Sequence, residues 1–216
     1  MATTLPTTAH TSLVSVTLEV ADPEAARRFY GAFGVDTHVR LRASEEHSAG
    51  FRGFTLALTV SGPATVDAFV GAAVGAGATV LKPAAKSLWG YSGVVRAPDG
   101  TIWKIATSAR KDTGPATRAI DDVVLLIGVE DVKATRRFYV DRGLTVAKSV
   151  GGTYAEFAPG RSGRVKLALY KRRALAKDLG VPADGTGSHL IVLGGTADAF
   201  TDPDGFVWEA EGGERS

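Results

Sequence analysis

Hydrophobic and polar positions follow the same pattern twice along the chain. Residues 13–20 and residues 123–129 are apolar runs rich in β-branched side chains, which is typical of buried strands. Each run is followed almost at once by an aspartate, Asp22 or Asp131, a residue type that caps helix N-termini. The pattern therefore predicts a buried strand that passes directly into a helix, once in each half of the chain.

Two longer motifs show that the halves are repeats. Residues 20–30 recur as residues 129–139, and both copies end in Arg-Arg-Phe-Tyr. Residues 98–103 recur as residues 203–208, and both copies combine Pro-Asp-Gly with a tryptophan three residues after the glycine. Pro-Asp-Gly between apolar runs predicts the tight turn of a β-hairpin. A self-similar pattern of this kind indicates two related structural units.

The middle parts of the two halves differ. In the first half we expect strands near residues 36–41, 54–60 and 79–81 and a helix near 66–74. In the second half we expect strands near residues 145–150, 153–157, 165–170 and 189–193, with a basic loop containing Tyr170, Lys171, Arg172, Arg173 and Lys177. The predicted organisation is a flexible N-terminal segment (1–12), a first unit (13–109), a linker (110–118) and a shortened second unit (119–212) that lacks one helix.

Composition and charge narrow the classes of function. The 216 residues are 44% hydrophobic and 22% charged, which is typical of a globular protein with a sizeable core. A net charge of +2 argues against dedicated nucleic-acid binding. The absence of cysteine excludes disulfides, thiolate metal sites and a cysteine nucleophile. Neither a signal peptide nor a membrane-spanning run is recognisable, so we expect a cytoplasmic protein.

The order of these elements resembles the vicinal oxygen chelate superfamily, which includes glyoxalase I, bleomycin-resistance proteins and extradiol dioxygenases. The resemblance rests on the Asp-capped helix ending in Phe-Tyr and on the Asp-Gly turn before a strand with tryptophan, and it covers nearly the whole chain. It implies an α+β fold of two tandem glyoxalase-like units. Each unit would be built from paired βαβββ modules whose curved mixed sheets enclose a cleft, with helices outside.

The resemblance also implies where a divalent metal would bind. Enzymes of the superfamily take ligands from the first strand of a module, where this chain has Ser15 and Val124, and from the last strand, where it has Lys104 and Glu209. At an internal strand the corresponding residues are Thr55 in the first half and His189 in the second. Only His189 and Glu209 are usual ligands, so the metal site is incomplete. The alternative for His189 is a partly buried structural histidine, and Glu209 is also a candidate general base without a metal.

Aromatic residues near the predicted cleft suggest a ligand with a flat apolar part, because aromatic faces offer a large contact area. The candidate ligand-binding residues are Trp89, Tyr91, Trp103, Lys104, Tyr154 and Trp208. Aromatic residues are also ordinary core filling, and the basic loop and Lys104 are also typical of a solvated surface.

Two functions follow from these observations. The first is a metal-independent protein that binds an aromatic or partly apolar small molecule, of the sequestration or resistance type, with no cofactor. The second is a lyase or isomerase that uses Glu209 and His189, with or without Ni, Zn, Mn or Fe. In either case we expect a small-molecule ligand, no nucleic-acid or membrane partner, and a monomer or homodimer.

Overall fold

The structure is a computed structural model that describes residues 11–160 and 165–211. Residues 1–10 of the predicted N-terminal segment and residue 212 of the second unit lie outside these ranges. In the first half the elements are β1 (Leu13–Val20), α1 (Pro23–Phe33), β2 (Arg40–Ala43), β3 (Ser48–Gly50), β4 (Phe54–Thr59), α2 (Pro63–Gly75), β5 (Thr79–Ser87), β6 (Gly90–Arg96) and β7 (Ile102–Thr107). In the second half they are β8 (Asp122–Val129), α3 (Val132–Asp141), β9 (Val146–Val150), β10 (Tyr154–Phe157), β11 (Lys166–Lys171), α4 (Arg172–Leu179), β12 (Gly185–Gly187), β13 (Ile191–Gly195), β14 (Phe200–Thr201) and β15 (Val207–Ala210).

Two mixed, open sheets organise the described part of the chain. The larger has the strand order β5-β6-β7-β4-β8-β11-β10-β9, and the smaller has the order β14-β15-β13-β1-β2. In the larger sheet the first strand of each module lies parallel to the last, β4 to β7 and β8 to β11. The two halves of the chain meet where β4 pairs antiparallel with β8 and where β1 pairs antiparallel with β13. The α+β architecture of paired modules is thus confirmed, whereas the bounds of the two units stay a prediction, because both sheets combine strands from both halves.

The predicted starts of the two repeated helices are confirmed. Asp22 caps α1 by accepting a hydrogen bond from the backbone N–H of Ala25, and Asp131 caps α3 in the same way. Backbone hydrogen bonds to Asp131 lower the pKa of its carboxyl group. Gly34 ends α1 in the left-handed conformation, with φ of 88°.

The two repeated motifs contact each other inside the core. The hydroxyl of Tyr30 on α1 donates to Asp99 at 2.6 Å, and the Tyr30 ring packs against Trp103. In the second copy Tyr139 donates to Asp202 at 2.6 Å and packs against Trp208. The Phe-Tyr helix and the Asp-Gly hairpin therefore recur together in the sequence because each buries and hydrogen-bonds the other.

The connection between the halves is tied to the helices of the first half. Gly62 precedes α2 and has no side chain that could cap the helix. Asp112 supplies the missing acceptor, because its carboxylate accepts a hydrogen bond from the backbone N–H of Ala64 at 2.8 Å. Arg118 donates to the carbonyl of Phe33 at the end of α1 at 2.8 Å. The predicted linker is thus a segment with defined contacts.

The basic stretch expected to be a loop forms helix α4, so that expectation is wrong. Leu175, Ala176 and Leu179 recur at helical spacing and are buried, while Gly180 ends the helix at φ of 77°. The apolar face of α4 is short and is interrupted in the sequence by charged residues, so the helix was not recognised.

Helix α4 lies on the opposite side of the large sheet from α2 and α3. On β8, Leu125 and Ile127 belong to the main core with those helices, whereas Leu126 packs with Leu175 in a second apolar cluster. Gly128 permits this close approach, because a Cβ there would lie 3.1 Å from the Cα of Arg172 and 3.0 Å from the carbonyl oxygen of Gly53. Helices α2 and α3 therefore pack on one face of the large sheet and α4 on the other.

Candidate functional site

Strand β1 separates an apolar side from a polar side. Val16, Leu18 and Val20 are buried in the main core with the helices. Ser15, Thr17 and Glu19 alternate with them and therefore project from the other side of the small sheet. This alternation starts a polar surface on the side of the sheet that faces away from the core.

The neighbouring strands complete that surface. Arg40 and Arg42 on β2 lie beside Thr17 and Glu19 in the strand register. Glu209 on β15 lies beside Gly194 of β13, which in turn lies beside Ser15. We call this surface the polar face and define it by Ser15, Thr17, Glu19, Arg40, Arg42, Glu209 and Glu211.

Arg42 stands at the centre of the interactions on the polar face. Its Nη1 donates to both carboxylate oxygens of Glu209, at 2.9 and 3.1 Å, and its Nη2 donates to Glu19 at 2.9 Å. The Glu19 side chain is 16% exposed, against 41% for Arg42 and 51% for Glu209. The hydrogen bonds that Arg42 donates to Glu209 and Glu19 raise the pKa of Arg42 above its ordinary value. The guanidinium is therefore held as a permanent positive charge between two carboxylates.

A second pair of side chains crosses the same surface. Arg40 forms an ion pair with Glu211, and the Ser15 hydroxyl donates to the same Glu211 carboxylate. Gly194 makes room for this contact, since a Cβ at that position would collide with both Ser15 and Glu211. Two arginine–glutamate pairs thus connect β2 with the far side of the small sheet.

The charged groups of Arg42 and Glu209 meet over the middle strands of the small sheet. Arg42 and Glu209 belong to strands three steps apart in the order β15-β13-β1-β2. Neighbouring strands lie about 4.8 Å apart, so the two backbones are separated by about 14 Å along the sheet. The side chains consequently meet above β1 and β13, between Ser15 and Glu19.

The residues at the implied metal positions do not fit a divalent metal. Ser15 and Glu209 do lie on the same face, but Ser15 donates to Glu211 and Glu209 accepts from Arg42. Val124 offers no donor atom, and Lys104 is a cation that pairs with Asp178 at 2.6 Å. Across residues 11–160 and 165–211, no group of three or more histidine, aspartate or glutamate side chains is placed to hold a metal ion.

His189 is held by two backbone carbonyl groups and by a stacked aromatic ring. Its Nδ1 lies 2.5 Å from the carbonyl oxygen of Arg52, and its Nε2 lies 3.0 Å from that of Asp204. The ring stacks on Phe206, with 4.0 Å between centroids and 9° between planes. Both ring nitrogens have protein partners, neither of which is Glu209, so the structure does not bring the two predicted ligands together.

The predicted aromatic ligand contacts are scattered over the structure. Trp103 and Trp208 are fully buried in the main core. Trp89 is 88% exposed at the tip of the β5–β6 hairpin, and the Tyr91 hydroxyl donates to Asp67 at 2.9 Å. Tyr154 is half-buried in the large sheet, where burial and the nearby Glu156 raise its pKa. These residues do not share one surface, so their ligand-binding roles stay predictions.

Five residues of the polar face were missed in the sequence: Thr17, Glu19, Arg40, Arg42 and Glu211. The alternation Arg40-Leu41-Arg42 is the signal that could have found two of them, since it places both arginines on one side of a strand. The sequence pattern says nothing of the partner across the sheet, which depends on the pairing of β1 with β13.

Solved structures share this architecture across most of the chain. A single-substitution variant of glyoxalase I from Zea mays has a TM-score of 0.59 at 11% identity, covering 92% of this chain and 91% of that one. The unsubstituted Zea mays glyoxalase I gives a TM-score of 0.56 at 12% identity, with 92% and 91% covered. A putative dioxygenase from Bacillus subtilis gives 0.50 at 12% identity, covering 89% of this chain and 71% of that one.

These similarities define the fold. No family model and no curated protein sequence matches the chain. The chain has the fold of glyoxalase I, which confirms the fold that the repeated motifs led us to expect. Among the described helices, none has the length and apolar character needed to cross a membrane.

Proposed function

We propose that this protein is a metal-independent, small-molecule-binding member of the glyoxalase fold and that its ligand binds on the polar face. The observation that carries the proposal is Arg42, whose guanidinium bridges Glu19 and Glu209 on the surface where the resemblance implies a metal. A fixed guanidinium supplies positive charge and directed hydrogen-bond donors without a bound ion.

The corresponding surface of the large sheet supports this choice of site. There α4 covers the sheet, and Leu175 and Leu179 are buried against apolar residues of the strands. The Lys82 ammonium donates to the carbonyl of Asp178, at 2.5 Å, and the Asp178 carboxylate pairs with Lys104. On the large sheet this surface is therefore covered by α4, whereas the corresponding surface of the small sheet remains open and polar.

The polar face also has an exposed apolar side chain for a partly apolar ligand. Val207 on β15 is 41% exposed, whereas its neighbour Val192 on β13 is buried. A ligand with an apolar part and polar oxygens would pack on Val207 and accept hydrogen bonds from the arginines and from Thr17.

A thermal-shift screen of aromatic metabolites and antibiotics tests this function. We expect ligands that raise the melting temperature of the wild-type protein in the presence of EDTA, and we expect Arg42→Gln to remove that rise. The matched control is Arg27→Gln, which removes an arginine from an exposed ion pair with Glu24 on α1. Stabilisation that requires a divalent ion, or that is equal in wild type and Arg42→Gln, contradicts the proposal.

A further inference from the structure

We infer that Arg42 is a built-in replacement for a divalent cation, and that its positive charge is what keeps metal ions off the polar face. The inference rests on the proposed function and goes beyond it, because it assigns metal independence to one side chain. It also predicts that a chain without this charge gains a metal site.

The guanidinium of Arg42 is surrounded by carboxylate oxygens. Three of its N–H contacts end on carboxylate oxygens, two from Glu209 and one from Glu19. Carboxylate oxygens are the ligands that hard divalent cations such as Mn²⁺ and Mg²⁺ prefer. The guanidinium thus occupies the space in which these oxygens converge.

Arg42 also balances the charges of the polar face. The polar face carries three carboxylates, from Glu19, Glu209 and Glu211, and two guanidiniums, from Arg40 and Arg42. With Arg42 neutral, Glu19 and Glu209 face each other without a cation, while Arg40 still pairs with Glu211. Because Glu19 is mostly buried, its unpaired charge is poorly compensated by water and favours uptake of a cation.

The backbone holds both carboxylates in place. Glu19 lies within β1, which is paired on both sides, and Glu209 lies in β15, which is paired with β13 and β14. Both carboxylates therefore project from hydrogen-bonded strands and remain on the same face when the arginine side chain changes. Without the guanidinium we expect a divalent ion that keeps several of its waters, as is usual for Mg²⁺, to bind between them.

The test is Mn²⁺ binding, measured by electron paramagnetic resonance of the free ion and by calorimetry. We expect Arg42→Gln to bind about one Mn²⁺ per chain at least tenfold more tightly than the wild-type protein does. Arg27→Gln, with the same loss of charge, is expected to behave as wild type. The double variant Arg42→Gln/Glu209→Gln is expected to lose the gained site.

The outcomes separate this inference from the proposed function. If wild type and Arg42→Gln are equally free of Mn²⁺, the role of Arg42 is wrong while the proposed metal independence stands. If wild type already binds Mn²⁺ stoichiometrically, the proposed function is contradicted as well. Circular dichroism confirms folding of each variant, and Arg42→Ala provides a second neutral replacement should Arg42→Gln fail to fold.

Discussion

Arg42 and Glu209 form an ion pair across four strands of the small sheet, in which Nη1 donates to both carboxylate oxygens, at 2.9 and 3.1 Å. Both side chains remain partly exposed, so solvent screens their attraction. We expect a double-mutant cycle with Arg42→Ala and Glu209→Ala to give a coupling energy of about 0.5–1 kcal/mol in urea unfolding.

The Arg27–Glu24 pair on α1 is the internal comparison for this cycle. Its partners lie one helical turn apart and are well exposed. The same cycle there is expected to give about 0.3–0.5 kcal/mol. A coupling at Arg42–Glu209 no larger than that at Arg27–Glu24 would show that the longer pair contributes nothing special to the fold.

Gly128 is expected to be intolerant of a side chain because α4 lies directly against it. In Gly128→Ala the new methyl group would meet the backbone of Gly53 and Arg172, and neither can move without displacing β4 or α4. Overpacking of this kind costs about 1–3 kcal/mol of unfolding free energy. Urea denaturation measures the loss.

The control for Gly128→Ala is Gly71→Ala. Gly71 lies inside α2, and a Cβ there meets nothing within 4 Å. Replacing a helical glycine by alanine is expected to stabilise the protein by about 0.5–1 kcal/mol. Equal effects of the two substitutions would argue against close packing of α4 on β8.

Alkaline pH is expected to destabilise the protein through Tyr30 and Tyr139. Burial, reinforced by Asp99 and Asp202 respectively, raises the pKa of each phenol well above its ordinary value. The folded state therefore keeps protons that the unfolded state loses near pH 10, and stability falls as the pH rises above about 10. Each phenol contributes a slope of up to about 1.4 kcal/mol per pH unit.

Substitution isolates this alkaline effect from the titration of lysines. Tyr30→Phe and Tyr139→Phe are each expected to flatten the decline in unfolding free energy between pH 9 and 11, measured by urea titration at each pH. Tyr139→Phe also removes the acceptor of the Trp208 indole N–H and is expected to cost about 1–3 kcal/mol at neutral pH. An unchanged slope in both variants would contradict the burial of the two hydroxyls.

Trp89 is expected to be the one tryptophan that solvent quenchers reach. The chain has three tryptophans, and Trp103 and Trp208 are fully buried in the main core. Acrylamide should therefore quench mainly the Trp89 emission, and Trp89→Phe should leave a blue-shifted, poorly quenched spectrum. Strong quenching that persists in Trp89→Phe would place one of the other two at the surface.

Much of the fold follows from the sequence because its motifs act locally. Asp22 and Asp131 cap helices through neighbouring backbone N–H groups, and the two Pro-Asp-Gly turns need only their own residues. The repeat then indicated the architecture, since Tyr30 and Tyr139 each pack against the tryptophan of the hairpin in their own half. Their hydrogen bonds differ by position, because Tyr30 donates to Asp99 inside the repeated motif and Tyr139 to Asp202 just before it.

The site was less predictable because its contacts are remote in the sequence. Glu209 was identified from its place after the turn glycine, yet its partner Arg42 lies in the other half of the chain. That meeting depends on the antiparallel pairing of β1 with β13, which no local pattern encodes. Helix α4 was missed for a related reason, since its short apolar face is recognisable only against the sheet that it covers.

Calorimetric titration of the metal-free wild-type protein with Mn²⁺, Ni²⁺ and Zn²⁺ tests the central claim most directly. We expect no stoichiometric binding to the polar face, because Arg42 already supplies the positive charge between Glu19 and Glu209. Tight binding of one ion per chain that Glu209→Ala abolishes would contradict it.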